Sequence, residues 1–167
     1  MEEKKLLILG AGQYGQVVRE TAEAMGCFDK IAFLDDNNPN AVGKLADYLP
    51  LRQEYACAFV AMGNPELREM WLDRLETAGY ELSVLVHPKA YISPTASLGK
   101  GTIAEPMVVV NTEAVVETGG LLCAGCIVNH NGLVKSCCQI DCNAVVAAGA
   151  TVPEKTKVAA GTLYAKK

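Results

Sequence analysis

From Ile92 onward every sixth residue is apolar: Ile92, Leu98, Ala104, Val110, Val116, Leu122, Val128, Val134, Ile140, Val146, Val152 and Val158. Half of the chain is hydrophobic (50%), so twelve in a row within one frame is about a one-in-four-thousand event. Four residues after each comes a second column, Ala96, Thr102, Val108, Ala114, Gly120, Cys126, Gly132, Cys138, Ala144, Ala150, Thr156 and Thr162, almost all of it small. The position just before that column is Gly or Asn at Gly101, Gly119, Gly125, Asn131, Asn143, Gly149 and Gly161. These residue types accept positive φ, so the spacing predicts a corner there. One large inward residue, one small one and a corner, repeated every six, describe a parallel β-helix of triangular section over residues 92–163. Three hexads close a turn of eighteen residues, so residue i stacks on i+18 at about 4.8 Å. The twelve hexads predict four coils.

That register also explains cysteines that otherwise suggest a metal. The chain has seven, including Cys123-x-x-Cys126 and the group Cys137, Cys138 and Cys142. Cys126 and Cys138 fall in the small inward column, where a free thiol serves as a small hydrophobe. No histidine or second CxxC completes a zinc ligand set, so no metal is expected.

The first half of the chain reads differently. Residues 4–9 (KKLLIL), 30–34 (KIAFL), 56–62 (ACAFVAM) and 82–86 (LSVLV) read as strands, and residues 16–25 and 66–78 as helices closed by Gly26 and Gly79. Residues 37–43 read as a loop. Strands alternating with helices predict a small α/β domain with a parallel, Rossmann-like sheet. The expected division is residues 1–87 for that domain and 88–167 for the β-helix with its C-terminal tail. His87, before Pro88 at the junction, reads as a linker residue.

Gly10-x-Gly12-x-x-Gly15 lies between the first strand and the first helix, the setting of a turn that cradles phosphate on a helix N-terminus. Gln13 and Tyr14 sit inside it. Asp35, twenty residues after Gly15 at the end of the second strand, can accept ribose hydroxyls. A tight turn with no ligand is the alternative. A dinucleotide-dependent oxidoreductase is disfavoured, because about 85 residues make half of a full dinucleotide fold.

With a net charge of −4 and no long basic cluster, no nucleic-acid partner is expected. The chain shows neither a membrane-length apolar run nor a cleavable signal, so no membrane insertion and a cytoplasmic location are expected. In the β-helix, His130 follows inward Val128 by two and should point outward. Eighteen residues later the neighbouring rung reads Ala147-Ala148-Gly149. An exposed imidazole beside accessible amides offers a general base next to oxyanion donors, although a solvated surface histidine reads the same way. Asn131 occupies a corner position, and its side chain is placed to orient His130.

Residues 10–18 (GAGQYGQVV), Phe33-Leu34-Asp35-Asp36, Val60-Ala61-Met62-Gly63-Asn64 and Val86-His87-Pro88, joined to a hexapeptide helix, resemble the NeuD/PglD-type sugar O/N-acetyltransferases along essentially the whole chain. The resemblance implies a left-handed β-helix and a homotrimer. It further implies acetyl-CoA as co-substrate and a UDP-4-amino sugar or related nucleotide sugar as acceptor, in surface-glycan or glycoprotein sugar biosynthesis. It places the catalytic base at His130, with Asn131 beside it, and the thioester oxyanion on an amide near Ala148 or Gly149. The nucleotide sugar would sit on Gly10, Gly12, Gln13, Tyr14 and Gly15, with Asp35, Asp36, Gly63 and Asn64 around it.

Three departures stand out. Tyr14 replaces a histidine in the first turn, Asn131 replaces a carboxylate, and fewer coils precede the tail at residues 158–167, which shortens the groove for CoA. The short helix and Asn131 favour a second reading, a non-catalytic trimeric nucleotide-sugar-binding scaffold or regulator; a third, a sialic acid-type O-acetyltransferase, uses the same groups as the first.

Overall fold

The computed structural model describes residues 3–166, so Met1, Glu2 and the last residue of the tail, Lys167, lie outside the described residues. The chain divides into two compact units, Met1–Ser83 and Val84–Lys167. In the first, strands β1 (Lys5–Leu9), β2 (Lys30–Leu34), β3 (Cys57–Val60) and β4 (Glu81–Leu82) form one sheet in the order β2-β1-β3-β4. All three pairings are parallel. The central strand β1 is buried from Leu6 to Leu9, which is why it reads as an unbroken apolar run rather than an alternating one.

Helix α1 (Gln13–Met25) buries Gly15, Val18, Thr21 and Ala22 along one stripe and stops at Gly26, whose φ of 63° lets its N–H reach the Glu23 carbonyl. It begins three residues earlier than the sequence periodicity implies, because Gln13, Tyr14 and Gly15 already take helical geometry. A short helix α2 (Tyr48–Leu51), too brief to leave a periodic signal, precedes β3. Helix α3 (Pro65–Thr77) starts with Pro at its first position under the cap of Asn64. It buries Arg68, Trp71, Leu72 and Leu75, spaced i, i+3, i+4, i+7.

The segment expected as one strand over residues 82–86 is split. Glu81–Leu82 extends the α/β sheet, whereas Leu85–Val86 pairs with Ile103–Ala104 in the second unit. Val86 lies six residues before Ile92, so it belongs to the hexad register rather than to the α/β alternation.

The second unit is a parallel β-helix. Two-residue strands recur every six residues from Leu85–Val86 to Leu163–Tyr164 and make three faces of four, five and five strands. That is fourteen rungs rather than twelve, with Val86 and Tyr164 extending the column at its two ends. Each rung pairs with the one eighteen residues away, as in Val115↔Leu133 and Ile127↔Val145. The inward column from Ala104 to Val158 forms the core, together with Val108, Ala114, Cys126, Cys138, Ala144 and Ala150 from the small column. Cys126 and Cys138 are fully buried there as packing residues. Burial, with the Glu105 carboxylate nearby, pushes the Cys126 thiol up and keeps it unreactive.

The corners adopt the left-handed conformation at the seven Gly and Asn positions named above, and also at Met107 (φ 64°), Glu113 (56°), Cys137 (57°) and Lys155 (58°). A residue with a Cβ there costs about 1–2 kcal/mol. Met107 is 64% exposed, so little packing offsets that cost. Met107→Gly should therefore raise stability by about 0.5–1 kcal/mol after the greater freedom of glycine in the unfolded chain is subtracted. Thermal melting should show a midpoint about 2 °C higher, with no gain in Met107→Ala. An unchanged midpoint in both would show that these corners carry no strain.

Candidate active site

Three connections of the α/β unit leave the carboxyl ends of β1, β2 and β3, where the strand order reverses on either side of β1 and where open α/β sheets bind their ligands. The expected residues meet there. Gly10 (φ 102°) donates its N–H to the Leu34 carbonyl at 2.9 Å, and Ala61 donates to Leu9 at 2.8 Å. A side chain on Gly15 would overlap the Gly10 carbonyl oxygen, and one on Gly10 would come within 2.9 Å of the Ala61 oxygen. Those two glycines are required by packing.

Gly12 and Gly63 are different. Neither has a positive φ, and a Cβ at either would meet nothing within 4 Å. The fold does not demand glycine at these positions, and both border the same strand ends. Gly12 is also the N-cap of α1 and offers no side-chain acceptor, while the first turn holds no acidic residue. No side chain caps or neutralises the positive end of the helix dipole there, the setting in which helices favour anions. Gln13 is exposed and Tyr14 half-buried in that first turn.

Asp35 has a more structural part than its strand-end position suggests. One carboxylate oxygen accepts the Ala11 N–H at 2.8 Å; the other accepts those of Asn37 (2.9 Å) and Asn38 (3.0 Å). Asn38, which sequence spacing did not single out, returns a bond from its amide to the Ala11 carbonyl at 3.1 Å. Asp36 accepts the Leu45 N–H at 3.0 Å, and the Asn64 side chain caps Leu67 at 2.9 Å. Buried Arg68 donates to the carbonyls of Met62 (2.7 Å) and Gly63 (3.1 Å), which shapes the turn after β3. These side chains hold the turns in place, and the backbone of residues 10–15 and Gly63 is what faces the open end of the sheet.

The N–H groups of Ala11 and Asn37 hold the Asp35 carboxyl below its usual range, against the opposing effect of burial. A carboxyl depressed by folding stabilises the native state above its unfolded pKa of about 3.9, and that contribution disappears as pH falls through the lower folded value. Asp35→Asn should cost about 2 kcal/mol near neutrality. Urea unfolding should show that gap constant down to about pH 5 and closing below about pH 4. A gap that widens in acid would refute the assignment.

In the β-helix, His130 is exposed just before the corner at Asn131 (φ 56°). Its Nδ1 lies 3.0 Å from the Asn129 Oδ1, which also accepts the His130 backbone N–H at 2.8 Å. The Asn131 amide turns the other way and donates to Glu113 Oε2 at 2.8 Å, one rung back. The next rung is registered through Ile127↔Val145 and Val128↔Val146, and Gly149 (φ 66°) donates its N–H to the His130 carbonyl at 3.1 Å.

Ala148 is distinguished by what surrounds its amide. At the equivalent position of four successive repeats the outward N–H meets a side-chain oxygen: Ala124 on Glu105, His130 on Asn129, Ser136 on Glu117 and Cys142 on Asp141. The acceptor is the preceding residue in two of these and the residue nineteen back in the other two; for Ala148 the first is Ala147, which has no side-chain oxygen, and the second is Asn129, whose Oδ1 is taken by His130 and Asn111. The Ala148 amide is therefore the donor left beside His130, since that of Gly149 is already used. Among the described residues, no group of three or more His, Cys, Asp or Glu side chains is arranged to hold a metal ion.

Comparisons with known proteins cover both units. Residues 5–75 match the PglD N-terminal domain family. The acetyltransferase domain of PglB from Neisseria gonorrhoeae, in complex with acetyl coenzyme A, superposes with a TM-score of 0.93 at 29% identity, covering 99% of this chain and 83% of that one. The chain is thus similar to NeuD/PglD-type proteins. Its helix is accordingly the left-handed hexapeptide form. UDP-N-acetylbacillosamine N-acetyltransferase of Bacillus subtilis is 29% identical over 113 residues, covering 60% of this chain. The match spans only half (50%) of that curated relative's length. PerB from Caulobacter crescentus, in complex with CoA and GDP-perosamine, shares the fold at a TM-score of 0.76 and 24% identity, covering 97% of this chain and 89% of that one. Among the described residues no helix is long and apolar enough to cross a membrane.

Proposed function

We propose that this chain is an acetyl-CoA-dependent acetyltransferase acting on the amino group of a nucleotide-activated 4-amino sugar. The observation that carries the reading is the juxtaposition of the exposed His130 imidazole with the available Ala148 amide on the next rung. A base and an oxyanion donor are the two groups that acyl transfer from a thioester needs. The imidazole takes a proton from the acceptor amine as the nitrogen lone pair bonds to the thioester carbonyl carbon. The carbonyl π pair moves onto oxygen, where the Ala148 N–H meets it. Collapse restores the C=O bond and breaks the C–S bond, and the imidazolium returns the proton to the departing CoA sulfur. Gly149 and Asn131 act on this site through the backbone and corner that hold His130.

The α/β unit supplies recognition in this proposal. Gly10, Gly12, Gln13, Tyr14 and Gly15 form the turn for the nucleotide diphosphate. Gly63 leaves room beside it, and Asp35, Asp36 and Asn64 fix the surrounding turns. The full-length overlap with a domain that binds acetyl coenzyme A supports that co-substrate even with a shortened stack of coils.

A homotrimer is supported by one face of the helix, whose outward column reads Tyr91, Val109, Ile127, Val145 and Leu163. Tyr91 is 56% and Leu163 68% exposed, and an apolar sheet face of this kind is suited to a second copy. The deciding experiment is acetyl transfer from acetyl-CoA to UDP-4-amino sugars, with light scattering for mass and calorimetry for each ligand. Transfer by a trimer is the expected result. UDP-sugar binding without CoA binding or turnover would support a scaffold, and a monomeric mass would remove the trimer.

A further inference from the structure

Two asparagines flank His130, and the one hydrogen-bonded to its ring is Asn129. Asn131 is committed to Glu113. Asn129 instead gathers three donors at a single side-chain atom: the His130 backbone N–H at 2.8 Å, the Asn111 Nδ2 at 3.2 Å from the rung eighteen residues earlier, and the His130 ring nitrogen Nδ1 at 3.0 Å. A backbone N–H can only donate, so the atom that accepts it is the amide oxygen of Asn129 and not its nitrogen. That oxygen cannot donate to Nδ1. The hydrogen bond exists only if Nδ1 carries the proton, which leaves the lone pair of the neutral imidazole on Nε2.

We propose that Asn129, steadied by Asn111, is the positioning residue that fixes His130 as the Nδ1–H tautomer, so that a neutral amide takes the place of the carboxylate that commonly orients a histidine base. A base needs this tautomer because the proton must leave the acceptor toward a nitrogen that has a free pair. An amide holds the ring without placing a negative charge on it. The Glu113 carboxylate is engaged by Asn131. This inference rests on the proposed role of His130 as the base.

The protein carries its own control. Its other histidine, His87, accepts the Lys89 backbone N–H on Nδ1 at 3.0 Å. By the same logic His87 bears its proton on Nε2, the opposite tautomer. Long-range proton–nitrogen correlation spectra of the full-length protein, recorded well above the ordinary histidine pKa of about 6.5, should show the two rings with reversed nitrogen shifts. His130→Gln identifies which set of signals is which. In Asn129→Ala the His130 ring should shift toward the Nε2–H form that free histidine favours, with His87 unchanged. In Asn129→Asp it should remain Nδ1–H, because all three groups at that position are donors and a carboxylate accepts them equally. Asn111→Ala should show a partial shift in the same direction as Asn129→Ala.

With acetyl transfer measured alongside, Asn129→Ala should lower kcat by about ten- to a hundredfold with KM little changed, and Asn129→Asp should restore most of it. Wild-type His130 in the Nε2–H form, or a ring indifferent to Asn129→Ala, would overturn the proposal whatever the activity. A locked Nδ1–H ring in a protein that transfers no acetyl group would instead uphold the positioning role and defeat the enzymatic reading.

Discussion

His130→Ala is expected to reduce kcat for acetyl transfer by about 10²–10⁴-fold, the usual contribution of a positioned general base. The substrates should still bind. His130 lies on the outer surface of the helix with its side chain exposed, so no core packing is lost and the melting temperature should stay within the small range of surface substitutions. The Ala148 amide is a backbone group and survives the change, so residual transfer above the uncatalysed rate should persist, as it does wherever oxyanion stabilisation outlasts the base. Equal falls in kcat and kcat/KM identify an interaction made only in the transition state. A His130→Ala enzyme within about tenfold of the wild type would remove the base from the mechanism, because deleting a base should cost at least about 10². A raised KM with intact kcat would make His130 a binding residue instead.

The stacking of the helix was legible because each hexad repeats one packing problem, and Val128, Val146 and Ala144 each solve it at a fixed offset. The same periodicity located the neighbour of His130 at Ala148, eighteen residues away. It was less informative at its ends. Val86 keeps the register, but it follows Leu82 so closely that the two read as one strand, and only hydrogen bonding separates Glu81–Leu82 from Leu85–Val86.

Side-chain direction was harder still. Asn129 and Asn131 flank the histidine symmetrically in sequence, yet the left-handed corner at Asn131 turns that residue toward Glu113 while Asn129 stays on the strand side with His130. A reading by adjacency has no way to choose between them. Asp35 shows the same limit: its position at the end of β2 was legible, but not that three backbone N–H groups would claim its carboxylate. Those donors come from loops whose geometry is set by tertiary contacts.

The glycines of the first turn separate fold from function in a second large expected effect. Gly15→Ala should cost several kcal/mol, about 3 or more, because the new methyl would overlap the Gly10 carbonyl oxygen and crowd the Gly10 carbonyl carbon at 3.0 Å. The obstacle is backbone, which cannot swing aside as a flexible side chain would. Relief requires lifting the start of α1 away from β1, which disturbs the packing of Val18 and Ala22 and displaces the turn proposed to hold the nucleotide diphosphate. Gly12→Ala meets nothing within 4 Å and sits at an ordinary φ of −71°, so its stability should change by less than about 0.5 kcal/mol. Its methyl nevertheless stands where a phosphate would approach the backbone, and UDP-sugar affinity should fall about tenfold, or about 1.4 kcal/mol. Chemical unfolding paired with calorimetry tests both changes. Loss of binding at Gly12 without loss of stability would mark the turn as a ligand cradle, whereas unchanged binding in Gly12→Ala would reduce it to the tight strand–helix connection that its spacing equally allows.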